Sequence, residues 1–96
     1  MKTPFLDTAR RVIRAESTAL TTLADALEAR FRDAIDVLLN SKGRVIITGI
    51  GKSGHIARKI AATMASTGTP AQFVHPAEAS HGDLGMITSA DVVLAI

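Results

Sequence analysis

Residues 44–64, RVIITGIGKSGHIARKIAATM, constrain the fold more than any other stretch of the chain. Arg44–Thr48 is a short run, apolar and β-branched from Val45 onward with no polar alternation, as in a strand buried on both faces. Gly49, Gly51 and Gly54 follow at once. Ile56, Ile60, Ala61 and Met64 then recur at helical spacing and mark one face of a helix. A strand, a tight turn and a helix in that order open a parallel βαβ unit. Glycines allow close backbone approach, and a helix start presents N–H groups to an anion. Gly49, Gly51, Ser53 and Gly54 are therefore expected to form a phosphate turn.

The turn imitates two nucleotide loops. Gly49-Ile50-Gly51-Lys52-Ser53-Gly54 has the G-x-G-x-x-G spacing of a dinucleotide site, but that site calls for an acidic residue about 20 positions on, at the end of the second strand. Here that strand ends Phe73-Val74-His75-Pro76, and the nearest acid, Glu78, lies beyond the proline. Gly51-Lys52-Ser53 also has the Gly-Lys-Ser of a P-loop, but the glycine required five residues earlier is replaced by Ile46, inside the strand. Neither nucleotide reading holds.

Ahead of this unit, Thr3-Pro4 reads as an N-cap with a first-turn proline. Apolar residues from Phe5 to Leu38 then recur at helical spacing up to the turn Asn40-Ser41-Lys42-Gly43, where Gly43 is expected to act as the C-terminal glycine. One helix over 4–39 would be about 54 Å long at 1.5 Å per residue. The segment 1–43 is therefore either two helices, broken near 28–32, or one helix that projects onto a partner subunit. Downstream, Gly68 closes the second helical pattern before Pro70. Ala71–Val74 reads as a second strand, His75–Gly85 as a loop, and Asp91–Ile96 as a third strand of the buried type. The order predicts a three-layer α/β/α arrangement around a parallel, doubly wound sheet over residues 44–96, truncated after the third strand. The loop that would follow that strand, where half of such a site sits, is not in the sequence. The chain thus reads as a piece of a longer protein.

Composition narrows the class. Hydrophobic residues make up 47% and charged residues 21%, which suits a folded domain. Eight of the 11 basic residues precede position 45, but so do six of the 9 acidic ones, a mixed helical surface and not a nucleic-acid arm. With no Trp or Tyr and 3 Phe, platforms for stacking bases are scarce. The absence of cysteine excludes disulfides and thiolate zinc sites and agrees with a cytoplasmic location. No apolar run reaches a membrane span. MKTPFLDTARR has no apolar core and carries an early Asp, unlike a signal peptide.

Residues 48–87, TGIGKSGHIARKIAATMASTGTPAQFVHPAEASHGDLGMI, resemble the D-arabinose 5-phosphate isomerases of the sugar isomerase (SIS) domain family. GKSGHI, ASTGTP, FVHP and HGDLGMI occur in order and at the family's spacing, and DVVLAI matches its third strand. Residues 1–43 resemble its helical lead-in less specifically. The resemblance implies a five-stranded parallel sheet and a cytoplasmic, typically tetrameric enzyme. It would interconvert D-ribulose 5-phosphate and D-arabinose 5-phosphate for synthesis of the acidic sugar Kdo, used in lipopolysaccharide or capsule. Many members add a pair of CBS domains. It also implies that Lys52 is catalytic, that Gly68, Thr69, His75 and His81 contact substrate, and that His75 meets a bound metal, usually an inhibitory zinc, with no cofactor required. The family's serine-rich phosphate loop, its catalytic glutamates and a further histidine lie downstream of the matched strand.

Aldose–ketose isomerisation moves a proton between adjacent carbons through an enediolate. It needs a base, a proton relay and positive charge near the oxyanion. Lys52, near a helix start, suits the last two roles, against the plain alternative of a solvent lysine. His75, at a strand end before proline, and His81, six residues on, suit the rim of a site. His75, Glu78 and His81 lack the four-residue spacing of a helical zinc motif. His55 reads as structural or supporting, Asp83 as a loop hydrogen-bonder, and Ile60 and Met64 as core. The rival reading is a non-catalytic sugar-phosphate-binding module of the same family.

Overall fold

The computed structural model describes residues 3–96. Met1 and Lys2, which open the expected helical segment and the stretch weighed as a signal peptide, lie outside the described residues. The chain forms two compact units, Met1–Asp33 and Ala34–Ile96.

Helix α1 (Pro4–Ala26) fills most of the first unit. Pro4 sits in its first turn, where a missing N–H costs nothing. Thr3 holds the cap position, but its side chain makes no capping bond. Its carbonyl instead accepts from the amides of Leu6 and Asp7. Thr21 and Thr22 return their hydroxyls to the carbonyls of Ser17 and Thr18, at 3.3 and 3.1 Å, which satisfies polar groups in mid-helix. The helical run does break, at Leu27, whose backbone is extended (φ −65°, ψ 132°). A second helix, α2 (Ala29–Leu39), starts two residues later and ends in the second unit. At 23 residues, α1 is about 35 Å long. Its apolar stripe is uncovered, with Phe5 87% and Leu20 66% exposed.

In the second unit the order is β1 (Val45–Thr48), α3 (Lys52–Ser66), β2 (Ala71–Phe73), α4 (Pro76–Ser80), a 3₁₀ turn (Asp83–Met86) and β3 (Val92–Ala95). The three strands are parallel in the order β2-β1-β3, with Val45 opposite both Ala71 and Val92. β1 lies between its neighbours, and Val45, Ile46 and Ile47 are at most 1% exposed. Val45 and Ile47 pack on Ala57 and Ala61 of α3, with Leu38, Phe73 and Leu94 around them. On the opposite face Ile46 shares an apolar recess with Pro76, Ala79, Leu84 and Ile87. The three layers are therefore α3 with the end of α2, the sheet, and the segment 76–87.

Several local expectations change. The segment His75–Gly85 is not a plain loop: it folds into α4 and enters the 3₁₀ turn, because its apolar residues cover Ile46. The inward face of α3 consists of Gly54, Ala57 and Ala61. Small residues let the helix lie close on the strand, which leaves Ile56 54% exposed and Ile60 and Met64 only partly buried at the margin of the core. β3 alternates half-buried and exposed residues along its length. Gly68 closes α3 with φ +102°, as the sequence predicts. Gly43 has no positive φ and serves differently: a Cβ there would collide with Asp91 Oδ1 and the Ala90 carbonyl.

The amino-terminal rim is tied by Arg44 and Asp91. Asp91 accepts from the amides of Arg44 and Thr88, at 2.7 and 2.8 Å. Arg44 donates to Gln72 Oε1 and the Met86 carbonyl, at 2.6 and 2.8 Å, and its Nη2 lies 3.7 Å from Asp91 Oδ2. Hydrogen bonds from the Thr88 and Arg44 amides, and the nearby guanidinium, hold the Asp91 carboxyl below its ordinary range. Asp91 is thus the carboxylate that binds loop amides here. Asp83 makes no side-chain hydrogen bond among the described residues.

Candidate functional site

The strand order creates the site. The chain leaves β1 for β2 on one side, then crosses back past β1 to β3 on the other. The direction of winding reverses between β1 and β3, and a crevice opens outside their carboxyl ends, where ligands bind in open parallel sheets. The glycine turn occupies that position. A Cβ on Gly49 would lie 3.1 Å from the carbonyl oxygen of Ile96, just past β3. Gly51, at φ +61°, is the N-cap of α3 and has no side chain to cap it. The amides of Lys52 and Ser53 follow, with no helical carbonyl ahead of them. Gly54 is bare because α3 starts against the turn: a Cβ there would sit 2.7 Å from the Gly49 carbonyl oxygen.

β2 delivers His75 to the same rim. Val74 donates its amide to the Ile47 carbonyl at 3.0 Å, and its carbonyl accepts from Thr48 Oγ1. The next residue, His75, is extended (φ −71°, ψ 133°), as a residue before proline must be. Its Nδ1 accepts from the Ala77 amide at 3.1 Å and caps α4. Gly51, Gly54, His55, Arg58, Phe73 and His75 line a cleft of about 170 Å³.

Of the residues predicted from sequence, the structure brings Gly51, Gly54 and His75 together around this cleft. Lys52 is the first residue of α3, and its side chain is exposed, while Ser53 beside it is half-buried. His81 is the exposed C-cap of α4. Gly68 and Thr69 are not brought in. They follow the other end of α3, whose 15 residues span about 22 Å, and they adjoin the rim where Pro70 accepts from the Val45 amide. A single sugar phosphate does not bridge that distance. His55, read as supporting, forms part of the cleft wall instead. Arg58 was not singled out at all, since it resembles any charge on a solvated helix face.

Among the described residues no group of three His, Cys, Asp or Glu is placed to hold a metal, and His75 has already committed Nδ1 to a backbone amide. Among the same residues no helix is long and apolar enough to cross a membrane.

A doubly wound parallel sheet with a glycine-rich turn at its switch point defines an α/β domain of the open-sheet class, in which ligands bind outside the carboxyl ends of the strands. The SIS domain family matches residues 38–96, and the chain belongs to that family. It is 56% identical over 92 residues to arabinose 5-phosphate isomerase KdsD of Pseudomonas aeruginosa, covering 96% of this chain and 28% of that one. It is 52% identical over 96 residues to arabinose 5-phosphate isomerase GutQ of Escherichia coli K12, covering 100% of this chain and 30% of that one. The chain therefore spans less than a third of the length of these curated relatives. Among solved structures, the Escherichia coli CFT073 protein c3406 in complex with arabinose 5-phosphate superposes with a TM-score of 0.91 at 44% identity, over 99% of this chain and 50% of that one.

Proposed function

We propose that this chain is part of an arabinose 5-phosphate isomerase, interconverting D-arabinose 5-phosphate and D-ribulose 5-phosphate. The observation that carries the reading is the identity of 52% and 56%, over nearly the whole chain, to isomerases of that name. The glycine turn at the switch point supports it, being suited to a phosphorylated ligand. In the reaction a base takes the proton from C2 of the aldose, an enediolate forms, and a proton is delivered to C1 as the hydroxyl hydrogens rearrange. Lys52 supplies positive charge or a relayed proton to the enediolate oxygens, and His75 and His81 contact the sugar. Gly49, Gly51, Ser53 and Gly54 form the turn that receives the ligand. Gly68 and Thr69, on the far rim, reach a substrate only if a second copy brings its own turn to them.

The cleft has hydrogen-bond donors and no carboxylate, so this chain by itself is expected to bind without turning over. The reading extends to a cytoplasmic homo-oligomer, a tetramer by resemblance, associating in part through the exposed stripe of α1 and supplying Kdo synthesis for lipopolysaccharide or capsule. The test is formation of D-ribulose 5-phosphate from D-arabinose 5-phosphate by the intact protein that carries this chain. Activity is expected to fall at least a hundredfold in Lys52→Ala, the scale of one positioned proton-transfer or charge-stabilising group. No turnover by the intact protein, or turnover indifferent to Lys52, would overturn the reading.

A further inference from the structure

We propose that Thr48 is a positioning residue for His75: its hydroxyl ties the exit of β2 to the end of β1 and so sets where the histidine ring stands beside the glycine turn. The role rests on the sugar-phosphate reading above, in which His75 contacts the sugar, and deepens it by naming what holds that side chain in place.

Thr48 is the half-buried last residue of β1, directly before the glycine turn. Evenly spaced amides and carbonyls tie neighbouring strands in a parallel sheet. Here the ladder to β2 ends with the Val74 amide on the Ile47 carbonyl, at 3.0 Å. The next rung would run from the Gly49 amide to the Val74 carbonyl. Gly49 has already left the sheet for the turn, and no backbone amide among the described residues takes that carbonyl. Thr48 Oγ1 donates to it instead. The side chain thus supplies the rung that the turn removes. On its other side the Thr48 carbonyl accepts from the Ile96 amide at 2.9 Å. One residue therefore ties both neighbouring strands at the rim where the crevice opens.

The Val74 carbonyl belongs to the peptide that leads into His75. Val74 is 4% exposed, so its carbonyl is costly to leave unpaired. Beyond His75, Pro76 keeps the backbone extended (φ −71°, ψ 133°), and the Ala77 amide donates to Nδ1 at 3.1 Å. With Nδ1 an acceptor, the neutral ring carries its hydrogen on Nε2. The free edge of His75 is then a donor to a sugar oxygen. Proline and the Ala77 amide orient the ring relative to its own backbone, and the Thr48 hydroxyl orients that backbone relative to the turn. Valine in place of Thr48 keeps the β-branched shape and removes this tie alone.

The experiment compares kcat and KM of the intact protein for D-arabinose 5-phosphate in Thr48→Val, Thr48→Ser, His75→Asn and the double variant, at a temperature where all are folded. Asparagine keeps an acceptor for the α4 cap and removes the Nε2 donor. Thr48→Val is expected to lose about ten- to a hundredfold in kcat/KM, the scale of a misplaced contact group, with the larger part in kcat. Thr48→Ser, which keeps the hydroxyl, should recover most of it. Because Thr48 acts through His75, the double variant should be no slower than His75→Asn. A merely structural threonine would lower Tm and leave the two losses multiplying. Crystal structures of the parent and Thr48→Val proteins should show the ring displaced by more than the ~0.5 Å that a catalytic arrangement tolerates. Unchanged turnover in folded Thr48→Val, losses that multiply in the double variant, or a His75 ring that stays in place overturns the proposal. A displaced ring in a protein whose parent lacks isomerase activity keeps the tie and removes the isomerase reading. An active parent with an unimpaired Thr48→Val variant does the reverse.

Discussion

Replacing Gly54 with alanine tests the close approach on which the glycine turn depends. Gly54 is buried in the first turn of α3, and an added Cβ would stand 2.7 Å from the Gly49 carbonyl oxygen, whereas ordinary contact begins at 3.4 Å. The start of α3 must therefore retreat from the turn by the difference, about 0.7 Å. Backbone faces backbone at this point, so no side chain can swing aside. Overpacking of this kind costs about 1–3 kcal/mol, and the better helix propensity of alanine returns up to ~1 kcal/mol. A net loss of about 1–2 kcal/mol is expected, which in a chain of this size lowers Tm by roughly 4–16 °C. The assay is thermal unfolding followed by circular dichroism, with Gly85→Ala as the control. Gly85 has open space around it and no positive φ, so its variant should unfold within a degree or two of the parent, as surface changes usually do. Because the retreat also displaces the amides of Lys52 and Ser53, phosphate binding should weaken in Gly54→Ala at a temperature where the variant is fully folded. If Gly54→Ala is as stable as Gly85→Ala, the packing of α3 on the turn does not have the geometry described.

Two further outcomes follow from the core and the rim. Ile47 is fully buried under α3, so Ile47→Ala should cost about 2–5 kcal/mol, a large share of the roughly 5–14 kcal/mol available to a chain of this length; urea denaturation retaining most of the parent midpoint would refute this. The Asp91 carboxyl has a folded pKa below its ordinary 3.8, so its contribution to stability is complete above that value and is lost as pH falls through the depressed one. Asp91→Asn should therefore flatten the decline of the urea midpoint below about pH 4, and an unchanged acid limb would show that the Arg44–Asp91 tie does not govern it.

Much of the site was legible in local chemistry. β-branched residues without alternation, three glycines and a returning helical period specify β1, the turn and α3, because each signal acts within a few residues. His75 was legible as a strand exit because proline forces the preceding residue to be extended, and Val74, next to it, is bonded to β1. Other features were misread where one pattern fits two environments. Ile56 looks like part of the buried face of α3, but the depth at which the helix packs is set by Gly54, Ala57 and Ala61. Gly43 looks like a helix terminator, but its bareness is required by Ala90 and Asp91, some 47 residues away.

By itself, then, the sequence determined the element types around the turn, the parallel βαβ opening and the family motifs, since backbone preference and turn geometry are decided by near neighbours. Tertiary structure decided which elements lie side by side. The order β2-β1-β3 sets the crevice at the end of β1 and separates Gly68 and Thr69 from it by the length of α3. The same order brings Arg58 of α3 over Phe73 of β2 and places His75 at the ring's edge. No period or spacing encodes that trio, because cation–π and edge contacts form between segments that only packing brings together.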